Sequence, residues 1–121
     1  MRTRKKFSLS LYFKGVKERK KLNIIDVSLH VKFQRPDGKE MEIDIKAESD
    51  CKCTALIEVK KWKTKVGVQV IRDFIEKIDV YAKQNKDKKI IPSFLSMGGF
   101  SVQAKKLCKD SQIGTAENII L

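Results

Sequence analysis

A chain of 121 residues is long enough to bury one sheet with a few helices and too short for two independent cores, so a single domain over residues 1–121 is expected. Its 41% hydrophobic content is globular, and 27 Lys and Arg against 15 Asp and Glu give a formal charge of +12, which favours a polyanionic partner, nucleic acid first, over an acidic protein, the bland alternative being a lysine-rich solvated surface. No run approaches the ~20 apolar residues of a membrane-spanning helix, and the basic start Met1 to Lys6 lacks the apolar core of a signal peptide, so no membrane contact and a cytoplasmic location are expected.

The first 22 residues fit two patterns. Phe7, Leu9, Leu11 and Phe13 alternate like a strand, whereas Leu11, Tyr12 and Val16 among lysines suit a basic amphipathic helix, the reading preferred here. Asn23 to Arg35 reads as a strand with Ile25, Val27, Leu29, Val31 and Phe33 on one face, closed by the turn Arg35-Pro36-Asp37-Gly38. His30 is expected to be structural or exposed.

The next strand places Met41, Ile43, Ile45 and Ala47 on one side and Glu42, Asp44, Lys46 and Glu48 on the other. After a short polar turn, Thr54 to Lys60 forms a third strand in which Leu56, Glu58 and Lys60 share a side, so the three strands make an antiparallel meander. Trp62 follows among lysines, either capping the sheet against the next helix or stacking on a base. From Gly67 or Val68 to about Gln84, the apolar residues Val70, Ile71, Phe74, Ile75, Ile78 and Tyr81 recur at helical spacing. Asn85 to Lys89 breaks the helix, Ile90 to Met97 reads as a buried strand beside the Glu58 strand, and Gly98-Gly99-Phe100-Ser101 turns into a short helix through Lys109. Pro92 weighs against a central strand position. Ile113 to Leu121 supplies a last strand. Cys51, Cys53 and Cys108 are expected to be reduced thiols, since three thiolates fall short of the four that an iron–sulfur cluster takes.

If the second and third strands pair across their turn, Asp44, Glu58 and Lys60 converge. Two carboxylates facing one point suit a hard cation such as Mg²⁺, which otherwise keeps waters and phosphate oxygens, and an adjacent lysine can orient or deprotonate a water. The bland alternative is the solvated face of an antiparallel hairpin.

Asp44, then Glu58-x-Lys60 on an apolar strand followed by a long amphipathic helix, resembles the signature of the PD-(D/E)XK nuclease superfamily. Ile57-Glu58-Val59-Lys60-Lys61-Trp62-Lys63 is similar to its Mrr-like restriction endonucleases, and the likeness, which also takes in the Holliday-junction-resolvase-like branch, spans roughly Ile24 to Leu121. Ile43 stands where a proline often precedes the first aspartate.

That resemblance implies an α/β fold with a restriction-endonuclease-like αβββαβ core, a mixed sheet flanked by helices. It implies a metal-dependent deoxyribonuclease, an endonuclease rather than an exonuclease, in which Asp44 and Glu58 bind Mg²⁺ or Mn²⁺ and Lys60 assists the attacking water. Gln69 matches the superfamily's helical glutamine and joins the catalytic set, Glu42 rims the site, and Glu18 is the one acid available on a leading helix. The expected partners are duplex or branched DNA, gripped by Lys61, Trp62, Lys63 and Lys65, and a second copy of the chain in a homodimer. The competing expectation is a catalytically inactive nuclease-fold module that binds nucleic acid or serves assembly.

Overall fold

A computed structural model describes residues 6–7 and 22–117. Its elements are β1 (Lys6–Phe7), β2 (Leu22–Gln34), β3 (Glu40–Ser49), β4 (Cys53–Lys60), α1 (Val68–Gln84), β5 (Lys89–Ser96), α2 (Val102–Asp110) and β6 (Gly114–Glu117). They form a six-stranded sheet in the order β1-β2-β3-β4-β5-β6, antiparallel from β1 to β4 and parallel from β4 to β6. The switch follows from the connections: short turns join β2 to β3 and β3 to β4 as antiparallel neighbours, while the parallel pairs need helical crossovers, which α1 and α2 provide. Two helices on a mixed sheet are the flanked architecture that the resemblance implies.

At the chain start, Lys6–Phe7 is a short strand paired with Leu22 and Asn23, so at these two residues the helix expected over the first 22 gives way to the alternating pattern. The remainder of that expected helix, including Glu18, lies outside the described residues, as does the end of the last strand beyond Glu117. No described helix is long and apolar enough to cross a membrane.

Both helices pack on one face of the sheet. Ile71 and Phe74 of α1 and Ala104 and Cys108 of α2 share a core cluster with Phe94 of β5 and Phe100. Phe94 sits edge-on to Phe74 and Phe100, with ring centroids 5.4 Å and 5.8 Å away. Toward the other end of α1, Tyr81 packs with Ile43 and Leu56 and stands edge-on to Phe33. Burying one such aromatic side chain stabilises the fold by about 1.5–3 kcal/mol. Small residues dominate the opposite face, where Ala47, Ala55, Ile91, Leu95 and Ala116 form a separate cluster.

Pro92 is accommodated within β5. Pairing of β5 with β6 begins only at Ser93↔Gly114, so the missing N–H of Pro92 removes no bond to that neighbour. Cys108 is on the buried side of α2, and burial pushes its thiol up to about 11, which keeps it protonated at neutral pH.

One departure from simple alternation bears on the site. Ile43 and Phe33 face α1, while Ala47 belongs to the cluster on the other face, although Ile43 and Ala47 share strand parity. The expected single faces Ile25 to Phe33 and Met41 to Ala47 are therefore each broken in two. The break lies where the β2–β3 ladder runs from Leu29↔Ile45 to Val31↔Ile43 and skips the pair His30 and Asp44. His30 has φ 52°, and this left-handed residue turns the strand over, leaving Leu29 and Val27 exposed at 64% and 40% while Val31 and Phe33 turn inward.

Candidate active site

The strand reversal puts Asp44 at an opening in the sheet. The β3–β4 ladder holds from Glu48↔Thr54 to Ile45↔Ile57 and then ends, and side chains take over from the backbone. The Val59 amide donates to Asp44 Oδ2 at 2.8 Å, and the Asp44 amide approaches Glu58 Oε1 at 3.4 Å. Each strand's carboxylate thus meets the backbone of the other. This reciprocal pairing brings Asp44 and Glu58 together across the gap, at the point where the simple alternation of β3 is broken.

Glu58 is 4% exposed and is the one charged residue in the buried class among the described residues. Burial raises its pKa first of all. The Lys77 ammonium, bonded to Oε2 at 2.7 Å, pulls the other way, Asp44 adds to the rise, and Lys60 opposes it. The strand and motif pattern alone does not bring Lys77 to the site. The signal was present in the helix pattern, because Lys77 lies three residues after Phe74 and four before Tyr81, on the stripe that faces the sheet. A lysine inside an apolar stripe needs a buried partner, and Glu58 is that partner.

Lys60 ends β4, and its ammonium lies over the Trp62 ring, 5.1 Å from the centroid. Trp62 is 47% exposed, so it does not act as a buried cap on the sheet edge. Lys60 and Trp62 line two cavities. One, of about 500 Å³, also contains Glu58, Asp73, Phe74 and Lys77. The other, of about 590 Å³, contains His30, Asp44 and Lys61. The opening between β3 and β4 is therefore reached through two cavities, with Lys60 common to both.

Gln69 sits elsewhere. It is exposed on the first turn of α1, and its amide donates to Asp73 at 2.9 Å instead of reaching the carboxylates. Glu42 is half-buried at the rim, 3.4 Å from His30 Nδ1. Among the described residues no group of three or more His, Cys, Asp or Glu side chains gathers to hold a metal. A carboxylate pair fits Mg²⁺ or Mn²⁺, which take one or two carboxylates and complete their shell with water and phosphate. Glu58 is buried beside Asp44, and the cation that meets its carboxylate is the Lys77 ammonium.

The exposed lysines Lys61, Lys63 and Lys65 lie on the loop that follows β4. This loop is fastened to the turn after β5. Val66 N–H donates to Gly99 O and Ser101 N–H to Val66 O, each at 2.9 Å, and Met97 N–H donates to Lys60 O at 3.0 Å. A Cβ on Gly98 would fall 2.2 Å from Thr64 O, so only glycine permits this approach. Ser101 then caps α2, its hydroxyl accepting from the Ala104 amide.

Three solved structures are similar. A protein of unknown function, AF1548, matches with a TM-score of 0.64 and 22% identity over 76% of this chain and 48% of its own. A repair endonuclease from Pyrococcus abyssi matches at 0.54 and 12% identity over 74% of this chain and 38% of its own. A structure titled as an EndoMS–dsDNA2 complex matches at 0.53 and 10% identity, covering 74% and 36%. The chain thus spans about half or less of the length of each, and at these identities the likeness is one of fold. No curated protein matches. The model of the restriction endonuclease family Mrr_cat matches residues 28–120, a stretch that holds the β3–β4 opening with Asp44, Glu58 and Lys60, and the chain belongs to that family.

Proposed function

We propose that this domain is a divalent-metal-dependent DNA endonuclease in which Asp44 and Glu58 hold one Mg²⁺ or Mn²⁺ ion and Lys60 assists the attacking water. The observation that carries this reading is the pair of carboxylates interlocked with the backbone where β3 and β4 part, with Lys60 two residues beyond Glu58. A bound divalent ion would supply Lewis acidity at the scissile phosphate and lower the pKa of water. The protein's own groups do the rest. The Val59 amide fixes the Asp44 carboxylate, and burial keeps Glu58 out of competition with bulk water. The Lys60 ammonium, on the wall shared by both cavities, orients the nucleophilic water and balances negative charge as the P–O bond breaks. Lys61, Trp62, Lys63 and Lys65 border this wall and hold the phosphate backbone, consistent with the net charge of +12.

DNA is the substrate in this reading because the family is described as restriction endonuclease, and the two endonuclease-fold neighbours are titled as a repair endonuclease and a double-stranded DNA complex. Cutting both strands with one site per chain calls for two copies, and a homodimer belongs to the proposal.

A competing reading, a DNA-binding domain without turnover, draws support from Lys77, which is already paired with the deepest carboxylate. Incubating supercoiled, single-stranded and four-way-junction DNA with the protein in Mg²⁺, Mn²⁺ or chelator separates the two. The expected result is metal-dependent nicking, lost in Glu58→Ala and slowed about 10²- to 10⁴-fold in Lys60→Ala. Binding without cleavage in every metal, unchanged by either substitution, would establish the non-cleaving domain instead.

A further inference from the structure

Lys77 belongs to no part of the nuclease signature, yet it makes the shortest polar contact at the site. Its stem runs along the sheet-facing stripe of α1 between Phe74 and Tyr81, a quarter of its side chain remains exposed, and its ammonium lies 2.7 Å from Glu58 Oε2. The other oxygen, Oε1, faces the Asp44 amide. An ion held between Asp44 and Oε1 would stand within about 4–5 Å of the ammonium, given metal–oxygen distances near ~2.1 Å. Two cations at that separation repel, and for a divalent ion even water-like screening makes this worth a factor of about ten or more in affinity.

A second anion lies within reach of a displaced ammonium. Asp73 precedes Lys77 by four residues on the same helix, in the acid-before-base order that favours pairing, and it lines the same cavity. Its carboxylate accepts a bond from Gln69, and its residue is exposed, so it can take a second donor without burying further charge.

We propose that Lys77 is the resident counter-ion of Glu58, occupying the carboxylate when no divalent ion is present and competing with the ion for it, so that loading proceeds with the ammonium leaving Oε2 for Asp73. The lysine protects a buried carboxylate from standing uncompensated and sets the metal concentration at which the site fills. This inference rests on the reading of Asp44 and Glu58 as the metal pair.

The test is Mn²⁺ binding to the full chain without DNA, measured by calorimetry or by the loss of the free-ion paramagnetic signal. Wild type is compared with Lys77→Met and with Lys77→Gln, which keeps a neutral donor toward Glu58 and guards against a folding failure of the first variant. Glu58→Gln serves as the control. Both Lys77 variants are expected to bind Mn²⁺ at least about tenfold more tightly than wild type, and Glu58→Gln to lose binding. A merely structural lysine cannot give this result, since loosening the site lowers affinity. Equal or weaker binding by both variants, with wild-type binding intact, overturns the counter-ion role and leaves the metal pair standing. No Mn²⁺ binding by any of the proteins overturns the metal pair and this inference with it.

Discussion

The molecule holds two acid–base pairs of similar chemistry whose carboxyls are driven in opposite directions. At the β2–β3 turn, Arg35 bonds Asp37 and reaches Glu76 of α1 at 2.9 Å, with the Asp37 side chain 55% exposed. The Arg35 guanidinium, aided by the Lys39 amide, holds Asp37 at about 2. At the β3–β4 opening, Lys77 bonds Glu58 at 2.7 Å, yet burial outweighs it and the Glu58 pKa rises. What separates the two is the access of water to the acid. An exposed acid keeps most of its hydration, so its partner sets the direction of the shift, whereas a buried acid must first recover what desolvation took.

Breaking the buried pair should cost most. In chelator, Lys77→Met leaves Glu58 uncompensated in the sheet and is expected to lower unfolding stability by about 3 kcal/mol, the low end for buried pairs because Lys77 keeps some contact with water. Urea unfolding of the metal-free protein measures it, and a loss no larger than that of a surface lysine substitution would refute it. The second effect is in pH. Because the folded-state pKa of Glu58 lies above its ordinary value of 4.5, its contribution to stability is fully present below that value and is lost as pH rises through the elevated folded pKa. Metal-free wild type should therefore lose stability relative to Glu58→Gln as pH is raised upward from about 4.5. Asp37 has the reverse sign: its contribution is present above 3.8 and lost as pH falls through about 2. The smallest effect is that of Asp37→Asn, whose urea midpoint at pH 7 should stay close to wild type, because exposed ion pairs are screened and contribute little. A large loss there would show that the turn anchors α1 more firmly than its exposure implies.

Much of this arrangement is legible in the amino-acid sequence itself. Alternation puts Glu58 and Lys60 on one side of a strand, and helical spacing marks the α1 stripe, because burial imposes period 2 or 3.6 on apolar residues wherever an element has one covered face. Two features escape that logic. The reversal at His30 is a single backbone angle inside an unbroken apolar alternation, and the side chains around it give no sign that the faces exchange. The only hint is the residue type, since histidine enters left-handed backbone more readily than the valines and leucines beside it. Lys77 escaped for another reason. A lysine in an amphipathic helix is ordinarily assigned to the solvent side, and only its register with Phe74 and Tyr81 shows otherwise. Gln69 is the converse case. Its place in the sequence motif draws it toward the carboxylates, while its position on the first turn of α1 leaves it beside Asp73.

The loop carrying Lys61, Lys63 and Lys65 has a property that its charge alone does not convey. Tied to Gly99 and Ser101 through Val66, and pressed against Gly98 at Thr64, it acquires its shape as the sheet and α2 assemble. The backbone freedom of this loop is surrendered during folding, so under the proposed function a nucleic-acid phosphate backbone meeting it would not have to order it. Three cations on a preshaped segment would then bind with less entropic loss than the same three on a free strand of chain, because the backbone that carries them is already ordered.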